Sequence, residues 1–329
     1  MLFVDNQNIT DPRVNLAIEE HLLRNFDTED DFLLFYINEP SIIIGRNQNT
    51  IEEINTPYVE EHGVHVVRRM SGGGAVYHDL GNLNFSFITK YASENFQNFR
   101  KFTDPVVAVL RDLGVDASLS GRNDILVGER KISGNAQYRS GGRMLSHGTL
   151  LFDTRLEDVV AALNVKQAKI ESKGLKSVRS RVANICEFLD HGMDVHTFRT
   201  LLLEGIFAEF DSVPAYTLDE NDWAQIRQIS DARYARWEWN YGHSPEFNIQ
   251  RARRFPGGEV DVRIDVHKGE IRSLKIYGDF FGERDVSELE ERLLGIRYER
   301  DSLRSALNGV NLKPYFGAVE LEAFLDLLY

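Results

Sequence analysis

The chain has 329 residues, 42% of them hydrophobic, which is typical of a globular protein with more than one domain. Its formal net charge of −13 disfavours non-specific nucleic-acid binding, and the lack of any apolar run of about 20 residues excludes a predicted membrane span. A single cysteine, Cys186, excludes an intrachain disulfide, and with no secretory signal evident a cytoplasmic protein is expected.

The first predicted elements are a helix and two strands. Asp11 can cap the helix, and helical spacing predicts that Glu19 and Glu20 face outward. The inward stripe of this helix consists of Val14, Ala17, Ile18 and His21. Strands are expected at 32–37 and 41–45, and the second should be fully buried because it contains three consecutive isoleucines.

The most distinctive stretch is residues 68–79, Arg-Arg-Met-Ser-Gly-Gly-Gly-Ala-Val-Tyr-His-Asp. Consecutive glycines let backbone N–H groups approach a ligand closely, and adjacent arginines suit a carboxylate or a phosphate. Strand-like patterns at 64–67 and 83–87 mean that this loop joins two strands. A P-loop would need Gly-Lys-Ser/Thr before a helix, and a Rossmann turn would need a glycine where Tyr77 stands. We therefore predict an anion-binding loop, with a flexible hairpin tip as the alternative.

A helix and three antiparallel strands are expected after the loop. The helix should span 104–113, with Asp104 as its cap. Strands are predicted at 125–127, 131–138 and 144–152, joined by glycine-containing turns.

Lys131 is the second candidate functional residue. Strand alternation places it on one side with Ser133, Asn135 and Gln137, and this polar stripe could line a ligand cleft. A solvated lysine near a hairpin tip is the alternative interpretation.

Three further residues have weaker signals. Asp124 is a plausible Mg²⁺ ligand where phosphates complete the shell, or else the residue of an Asx turn. His147 leads the next strand, where a structural histidine is more common than a catalytic one. Cys186 has no histidine nearby in sequence and is interpreted as a buried structural cysteine.

A basic segment interrupts this acidic chain between residues 166 and 181, which contain one acid. Its cations are Lys166, Lys169, Lys173, Lys176, Arg179 and Arg181. Either the segment is a solvated loop and helix face, or it docks an acidic partner or phosphates. Helices are expected at 194–210 and 218–234, the second with a capping box of Thr217 and Glu220.

The C-terminal part has a different pattern. A polar seam that ends in Pro245 divides the chain into predicted domains 1–243 and 244–329. The second domain should contain a β-hairpin over 259–277, a helix that begins with a capping box at 287–290, and two further short helices.

Together these motifs resemble the lipoate–protein ligase family, within the wider biotin/lipoate ligase-type fold. The matching stretches are residues 44–49, 68–82, 131–137, 147–150, 177–184 and 278–282. The resemblance implies an α+β fold in which a mixed or antiparallel sheet, flanked by helices, forms the catalytic domain. A small α+β accessory domain would follow it.

The resemblance also implies a two-step reaction of lipoate salvage. The carboxylate of lipoate attacks the α-phosphate of ATP, which gives lipoyl-adenylate and pyrophosphate, and the lipoyl group then passes to a carrier lysine. Mg²⁺ would shield the triphosphate. The implied carriers are the glycine-cleavage H protein and acyltransferase subunits of 2-oxoacid dehydrogenases, whose acidic surface the basic segment would steer.

The resemblance assigns roles to individual residues. Lys131 would be catalytic, stabilising charge on the acyl carbonyl and the phosphate. The residues implied to bind ATP and lipoyl-adenylate are Arg69, Gly73, Gly74, Ala75, Val76, Tyr77 and Lys131. Weaker assignments to lipoate are Arg68, Gly72 and His147. Asp124 would be the candidate Mg²⁺ ligand.

Two alternatives stay open. The first is an ATP-independent octanoyl or lipoyl transferase of the same fold, which would need a cysteine nucleophile. Cys186 lies outside any motif that matches such a nucleophile. The second is a non-catalytic protein that binds lipoate or a carrier.

Overall fold

The structure, a computed structural model, describes residues 1–26, 29–121, 123–164, 181–189, 192–241, 249–267 and 269–329. Contacts between residues divide the chain into two units. The first unit comprises residues 1–43, 51–68 and 76–240, and the second comprises residues 44–50, 69–75 and 241–329. Two short segments expected in the N-terminal domain therefore group with the C-terminal residues. The predicted boundary after residue 243 falls outside the described residues and stays a prediction.

Most strands of the N-terminal part belong to one mixed sheet. The strands are β1 (Leu2–Asp5), β2 (Phe32–Ile37), β3 (Ser41–Ile44), β4 (His65–Arg68), β5 (Val76–His78), β6 (Asn82–Lys90), β7 (Ala117–Ser120), β8 (Asp124–Val127), β9 (Arg130–Ser140), β10 (Arg143–Leu151) and β11 (Ala215–Tyr216). The large sheet has eight strands in the order β11-β1-β2-β6-β10-β9-β8-β7. β1 pairs in parallel with β2 and β11, and the remaining pairs are antiparallel. This arrangement confirms the predicted antiparallel strands after residue 124.

A smaller three-stranded sheet has the order β4-β3-β5. The glycine loop joins β4 to β5, so the predicted strand-to-strand connection is confirmed. The three isoleucines of β3 are at most 2% exposed, as their apolar run predicts.

The α-helices described in the N-terminal part are α1 (Pro12–Arg24), α2 (Thr50–Glu53), α3 (Thr56–His62), α4 (Phe99–Asp112), α5 (Leu156–Ala162), α6 (Val195–Ile206), α7 (Glu220–Ile229) and α8 (Trp237–Asn240). Of these, α1, α4 and α6 pack against the large sheet and cover both of its faces. On one face, Phe85 of β6 belongs to the same buried core as Phe102 of α4 and Phe198 of α6. The next residue, Ser86, points to the other face and donates a hydrogen bond to Glu19 of α1. α1 therefore lies opposite α4 and α6. Within the described ranges, no helix is both long and apolar enough to cross a membrane.

The prediction that Glu19 and Glu20 face outward is wrong, because they are only 2% and 3% exposed. Glu20 forms ion pairs at 3.3 Å with Arg24 and with Arg233. Glu19 accepts hydrogen bonds from side chains of the large sheet. Burial of these carboxylates is tolerated because each has partners, which helical spacing alone does not reveal. The predicted cap is confirmed, since Asp11 accepts a hydrogen bond from the Arg13 amide at 2.8 Å.

The starts of α4 and α7, in contrast, were predicted at the wrong residue. α4 begins at Phe99 rather than after Asp104, and Pro105 lies inside it. Its buried apolar stripe starts one turn and a half earlier than the predicted cap, and packing of that stripe outweighs the cost of an internal proline. α7 is capped by Asp219, with a capping box to Asp222, instead of by Thr217.

The second unit contains a three-stranded antiparallel sheet rather than the predicted hairpin. Its strands are β12 (Ile249–Phe255), β13 (Gly258–His267) and β14 (Glu270–Gly278). Its helices are α9 (Ser287–Leu293), α10 (Arg300–Ala306), α11 (Lys313–Phe316) and α12 (Leu321–Leu328). β12 was missed because its exposed arginines break the apolar alternation. Three helices, not two, follow α9.

The capping box predicted for α9 is also wrong. Ser287 is the first residue of the helix, and its amide donates to Asp285 at 3.0 Å. Glu290 is buried and accepts a hydrogen bond from the Ile276 amide of β14 at 2.9 Å. This carboxylate therefore ties the helix to the sheet instead of capping the helix.

Candidate active site

The glycine loop, residues 69–75, is shaped by close backbone approaches. A Cβ on Gly45 would lie 1.9 Å from the Gly73 carbonyl oxygen, so the close approach of the two segments needs glycine at position 45. Gly73 has a φ of 93°, which a side chain rarely adopts. Gly72 and Gly73 are buried, whereas Gly74 is exposed and Ala75 is half-buried. Gly74 and Ala75 are therefore the most accessible residues of the three glycines and the alanine.

Arg69 binds the loop that follows it. The side chain is 6% exposed, and its Nη2 donates to the carbonyl oxygens of Gly72 at 2.7 Å and Gly74 at 2.8 Å. The N–H and C=O of a trans peptide point in opposite directions, so the amides of Gly73 and Ala75 point away from the guanidinium. Neither amide has a hydrogen bond to another described residue. The loop thus presents two N–H donors over a fixed positive charge, which is the arrangement that an anion requires.

The loop also contacts a C-terminal segment of its own unit. A Cβ on Gly72 would lie 2.4 Å from the Phe280 carbonyl oxygen, and one on Gly73 would lie 2.9 Å from the Phe281 ring. In the same unit, Arg46 and Asp285 form an ion pair at 2.5 Å. Sequence reasoning noted residues 278–282 as a motif but did not connect them with the loop.

Val76 and Tyr77 continue the loop into β5. Tyr77 is 5% exposed, and burial, with help from Asp158 and Asp79, raises the pKa of its hydroxyl. Asp79 accepts hydrogen bonds from the amides of Gly81 at 2.9 Å and Arg155 at 2.8 Å. These bonds fix the turn after β5.

Arg68 has a different environment from Arg69. Its Nε donates to the Trp239 carbonyl at 2.9 Å, and its own amide donates to Asn240 Oδ1 at 2.9 Å. The indole of Trp239 donates in return to the Arg68 carbonyl at 2.7 Å. Arg68 therefore ties β4 to α8, and its predicted contact with lipoate stays a prediction.

Lys131 does not share a sheet face with Ser133, Asn135 and Gln137 as predicted. On β8, Ile125 is paired with Ser133, but the next residue, Leu126, is paired with Lys131, so β9 carries a bulge between them. One extra residue shifts the alternation by one. Lys131 consequently faces the same side as Gly134, while Ser133 and Asn135 face the buried core.

The Lys131 ammonium lies beside an acid. Its Nζ is 2.8 Å from Asp124 Oδ1, and both side chains are more than one third exposed. The Lys131 amide donates to the Arg181 carbonyl at 2.7 Å, and the Ala183 amide donates to the Lys131 carbonyl at 3.0 Å. Within the described part of the chain, no group of three or more His, Cys, Asp or Glu side chains could hold a metal ion.

His147 lies on the same face of the large sheet as Lys131. It is paired with Ala136 of β9 and Ser86 of β6. Its Nδ1 is 3.1 Å from each carboxylate oxygen of Glu19, which also accepts the Tyr36 hydroxyl at 3.0 Å. This contact suits the His147 tautomer in which Nδ1–H donates to the carboxylate. Sequence reasoning missed Glu19 because it placed this residue on the outer side of α1.

Most of the predicted basic segment, residues 166–181, lies outside the described part of the chain. Only Arg181 of the basic segment is described, and the other cations lie outside the described residues: Lys166, Lys169, Lys173, Lys176 and Arg179.

Cys186 is half-buried in a 3₁₀ turn, Ile185–Phe188. Burial, and then the neighbouring Asp153, raise the pKa of its thiol to about 11. A thiol with that pKa is a poor nucleophile at neutral pH.

Comparison with protein families gives two matches. The model of the lipoyl protein ligase A/B catalytic domain matches residues 11–207. The model of the bacterial lipoate protein ligase C-terminus matches residues 244–328. Lipoate-protein ligase LplJ of Bacillus subtilis (strain 168) is 61% identical, and the alignment covers 100% of both chains. Lipoate–protein ligase 1 of Staphylococcus aureus (strain Mu50) is 50% identical, also over 100% of both chains.

Solved structures show the same architecture. LipL1 of P. falciparum in complex with lipoate has a TM-score of 0.78 and 23% identity, covering 99% of this chain and 97% of that chain. At this identity the likeness concerns the fold, which agrees with the predicted α+β class. A lipoate-protein ligase A bound with ATP is 33% identical with a TM-score of 0.62, covering 74% of this chain and 97% of that chain.

Proposed function

The chain belongs to the lipoate–protein ligase family, and from this premise we propose that it activates free lipoate with ATP and transfers the lipoyl group to a carrier lysine. The observation that carries the proposal is the 61% identity to a lipoate-protein ligase over the full length of both chains. Two relatives support the choice of these substrates: the lipoate-protein ligase A bound with ATP, and a T. acidophilum protein with bound lipoic acid, which is 32% identical.

In the first step, a lipoate carboxylate oxygen attacks the α-phosphorus of ATP and pyrophosphate leaves. Both reactants are anionic, so the step needs positive charge and N–H donors around the phosphate. We assign the donors to the amides of Gly73 and Ala75, which point away from Arg69. Gly74 has no side chain to obstruct the approach, and Val76 and Tyr77 extend the nucleotide-binding backbone into β5.

In the second step, the carrier amine attacks the acyl carbonyl and AMP leaves. Negative charge then develops on the carbonyl oxygen and on the departing phosphate. We assign its stabilisation in both steps to the Lys131 ammonium, because a point charge on a long stem can lie between the acyl carbonyl and the phosphate and interact with both. Arg68, Gly72 and His147 are proposed, less directly, to contact lipoate. Glu19 of α1 would orient the His147 ring, because its carboxylate oxygen lies 3.1 Å from the His147 Nδ1.

Mg²⁺ is a finer part of the proposal. Asp124 supplies one carboxylate, and the Lys131 ammonium already lies 2.8 Å from its Oδ1. This donor set fits a metal that triphosphate oxygens hold for the most part, with Asp124 as a single protein ligand. When bound with ATP, Mg²⁺ would neutralise phosphate charge.

The carriers are also a proposal. One relative, a bi-partite lipoate protein ligase of Thermoplasma acidophilum that is 34% identical, belongs to an archaeal lipoylation system together with its E2 lipoyl domain. We propose that acyltransferase subunits and the glycine-cleavage H protein are the acceptors, and that the cations from Lys166 to Arg181 steer them. Reversal of several of these charges should lower transfer to the carrier and spare pyrophosphate release. Equal loss of both partial reactions would exclude this docking role.

A cytoplasmic location completes the proposal. ATP, the proposed co-substrate, is abundant there, and the single cysteine leaves no disulfide to be formed in an oxidising compartment. Cell fractionation with an antibody to the protein would test the location.

The central experiment measures pyrophosphate release from ATP with free lipoate and no carrier. We expect release that depends on lipoate, followed by a gain of one lipoyl group on a carrier domain, detected by intact-mass spectrometry. Reactions without lipoate and without ATP serve as controls. Lipoylation of the carrier in the absence of ATP would instead support a transferase, and absence of both reactions would leave only a binding role.

A further inference from the structure

We propose that Asp124 and Gly134 are positioning residues, which hold the Lys131 ammonium in a single place against β9. The proposal rests on the catalytic role of Lys131 in the proposed function and adds two residues on which that role depends. It is carried by the bulge in β9, by the space over Gly134 and by the ion pair to Asp124.

The bulge decides which face Lys131 occupies. Without the extra residue, Lys131 would lie on the same face as Ser133 and point into the core, where Ser133 is fully buried. With it, Lys131 shares a face with Gly134. Asp124 is paired with Gly134 across the strands and therefore lies on that face as well.

Gly134 provides the space in which the ammonium lies. A Cβ at this position would be 2.8 Å from Lys131 Nζ and 3.0 Å from its Cε. The next atom, Asp124 Oδ1, would be at an ordinary 3.9 Å. Gly134 is not in the left-handed region, so its backbone conformation does not require glycine. A Cβ at this position would therefore displace the end of the Lys131 side chain and leave the backbone in place.

Lys131 is thus held at both ends. Hydrogen bonds to Arg181 and Ala183 fix its backbone, and Asp124 fixes its ammonium at 2.8 Å. A free lysine side chain samples many rotamers, and only a few of them would place the charge at the reacting atoms. A charge that is placed before the substrate arrives stabilises a transition state with less reorganisation. The two residues therefore raise the rate through Lys131 without contacting the substrate themselves.

The test is a double-mutant cycle on lipoate-dependent pyrophosphate release at saturating Mg²⁺. Gly134→Ala and Asp124→Asn should each lower kcat by about tenfold to a hundredfold, with the KM for ATP and lipoate changed by less than about threefold. In a Lys131→Ala background, each should change the residual rate by less than about twofold, because the group they position is gone. If each substitution lowered kcat by the same factor in the wild-type and Lys131→Ala backgrounds, the proposal would be overturned.

Stability measurements separate positioning from simple damage. The Cβ of Gly134→Ala meets only the flexible end of the Lys131 side chain, so the melting temperature of that variant should stay close to the wild-type value. Gly205→Ala is the matched control, since its Cβ would lie 2.6 Å from Val109 Cγ2 in the helical layer. It should lower the melting temperature and leave kcat unchanged.

The remaining outcomes identify which assumption fails. If Gly134→Ala keeps the wild-type kcat, the positioning role is wrong. If Asp124→Asn regains the wild-type kcat when Mg²⁺ is raised well above the concentration that saturates the wild type, Asp124 acts only as a metal ligand and its positioning role is wrong. If Lys131→Ala itself keeps full activity, the assigned role of Lys131 fails, and the inference fails with it for that separate reason.

Discussion

The glycine loop of the second unit and the β8–β9 hairpin of the first each contain one cationic side chain of the proposed site, Arg69 and Lys131. The two side chains have different partners. Arg69 binds neutral carbonyl oxygens of its own loop and is 6% exposed. Lys131 faces a carboxylate, and 37% of its side chain is exposed. A planar guanidinium with several donors can shape a backbone, whereas a single ammonium can exchange one anion for another. The difference indicates that Arg69 shapes its own loop, whereas the Lys131 ammonium is paired with one carboxylate and stays partly open to solvent.

Replacement of Lys131 should have the largest effect on the chemistry. Lys131→Ala is expected to lower kcat for pyrophosphate release by roughly 10²- to 10³-fold, because a stabilising charge is lost, with little change in melting temperature. Lys90→Ala is the matched control, since Lys90 forms an exposed pair with Glu29 at 2.6 Å. If Lys90→Ala lost activity and Lys131→Ala did not, the Lys131–Asp124 pair would have no special role compared with the Lys90–Glu29 pair.

Replacement of Arg69 should affect both binding and stability. Arg69→Lys keeps the charge but cannot reach Gly72, Gly74 and Ser71 together, so the loop should lose its shape. We expect the KM for ATP to rise about tenfold and the free energy of unfolding to fall by about 1–3 kcal/mol. Steady-state kinetics and thermal unfolding measure the two effects.

Arg143 provides the control for Arg69. It is also buried, at 5% exposure, and donates to the Asp30 carbonyl at 2.8 Å. Arg143→Lys should reduce stability by a similar amount and leave the KM for ATP unchanged. An equal rise of KM in both variants would mean that Arg69 acts on stability alone.

The His147–Glu19 pair should have a smaller effect, confined to lipoate. His147→Ala leaves the buried Glu19 carboxylate with fewer donors and removes a side chain from the proposed lipoate site. The KM for lipoate should rise by roughly tenfold, while the KM for ATP stays within about twofold. Titration of lipoate by calorimetry would contradict this assignment if the two proteins bound it equally.

Cys186 should have the smallest effect. Cys186→Ser is expected to keep the rate of both steps within about twofold, because a thiol with a pKa of about 11 is protonated at neutral pH and is not assigned to any step. The pKa is raised, so alkylation by iodoacetamide should stay slow near pH 8 and accelerate as the pH approaches 11. Loss of lipoyl transfer in the serine variant would favour the cysteine-dependent transferase.

Local sequence was sufficient for the loop and for much of the secondary structure. The loop was predicted from consecutive glycines beside arginines. Backbone freedom and fixed charge, on which this prediction rests, are properties of the residues themselves. The same holds for the Asp11 cap and for the buried isoleucines of β3, both confirmed. The start of α4 was misplaced because burial of the stripe from Phe99 outweighs a local proline signal.

Tertiary structure decided which side chains meet. The face of Lys131 depends on how β9 pairs with β8, and one bulged residue reverses a period-2 prediction. Glu19 is buried because side chains from three strands of the large sheet donate to it, and those strands are distant in sequence. The contact of Phe280 and Phe281 with the glycine loop likewise joins residues about 200 positions apart. Spacing along the chain predicts what a segment can form, but cross-strand register and packing determine its neighbours.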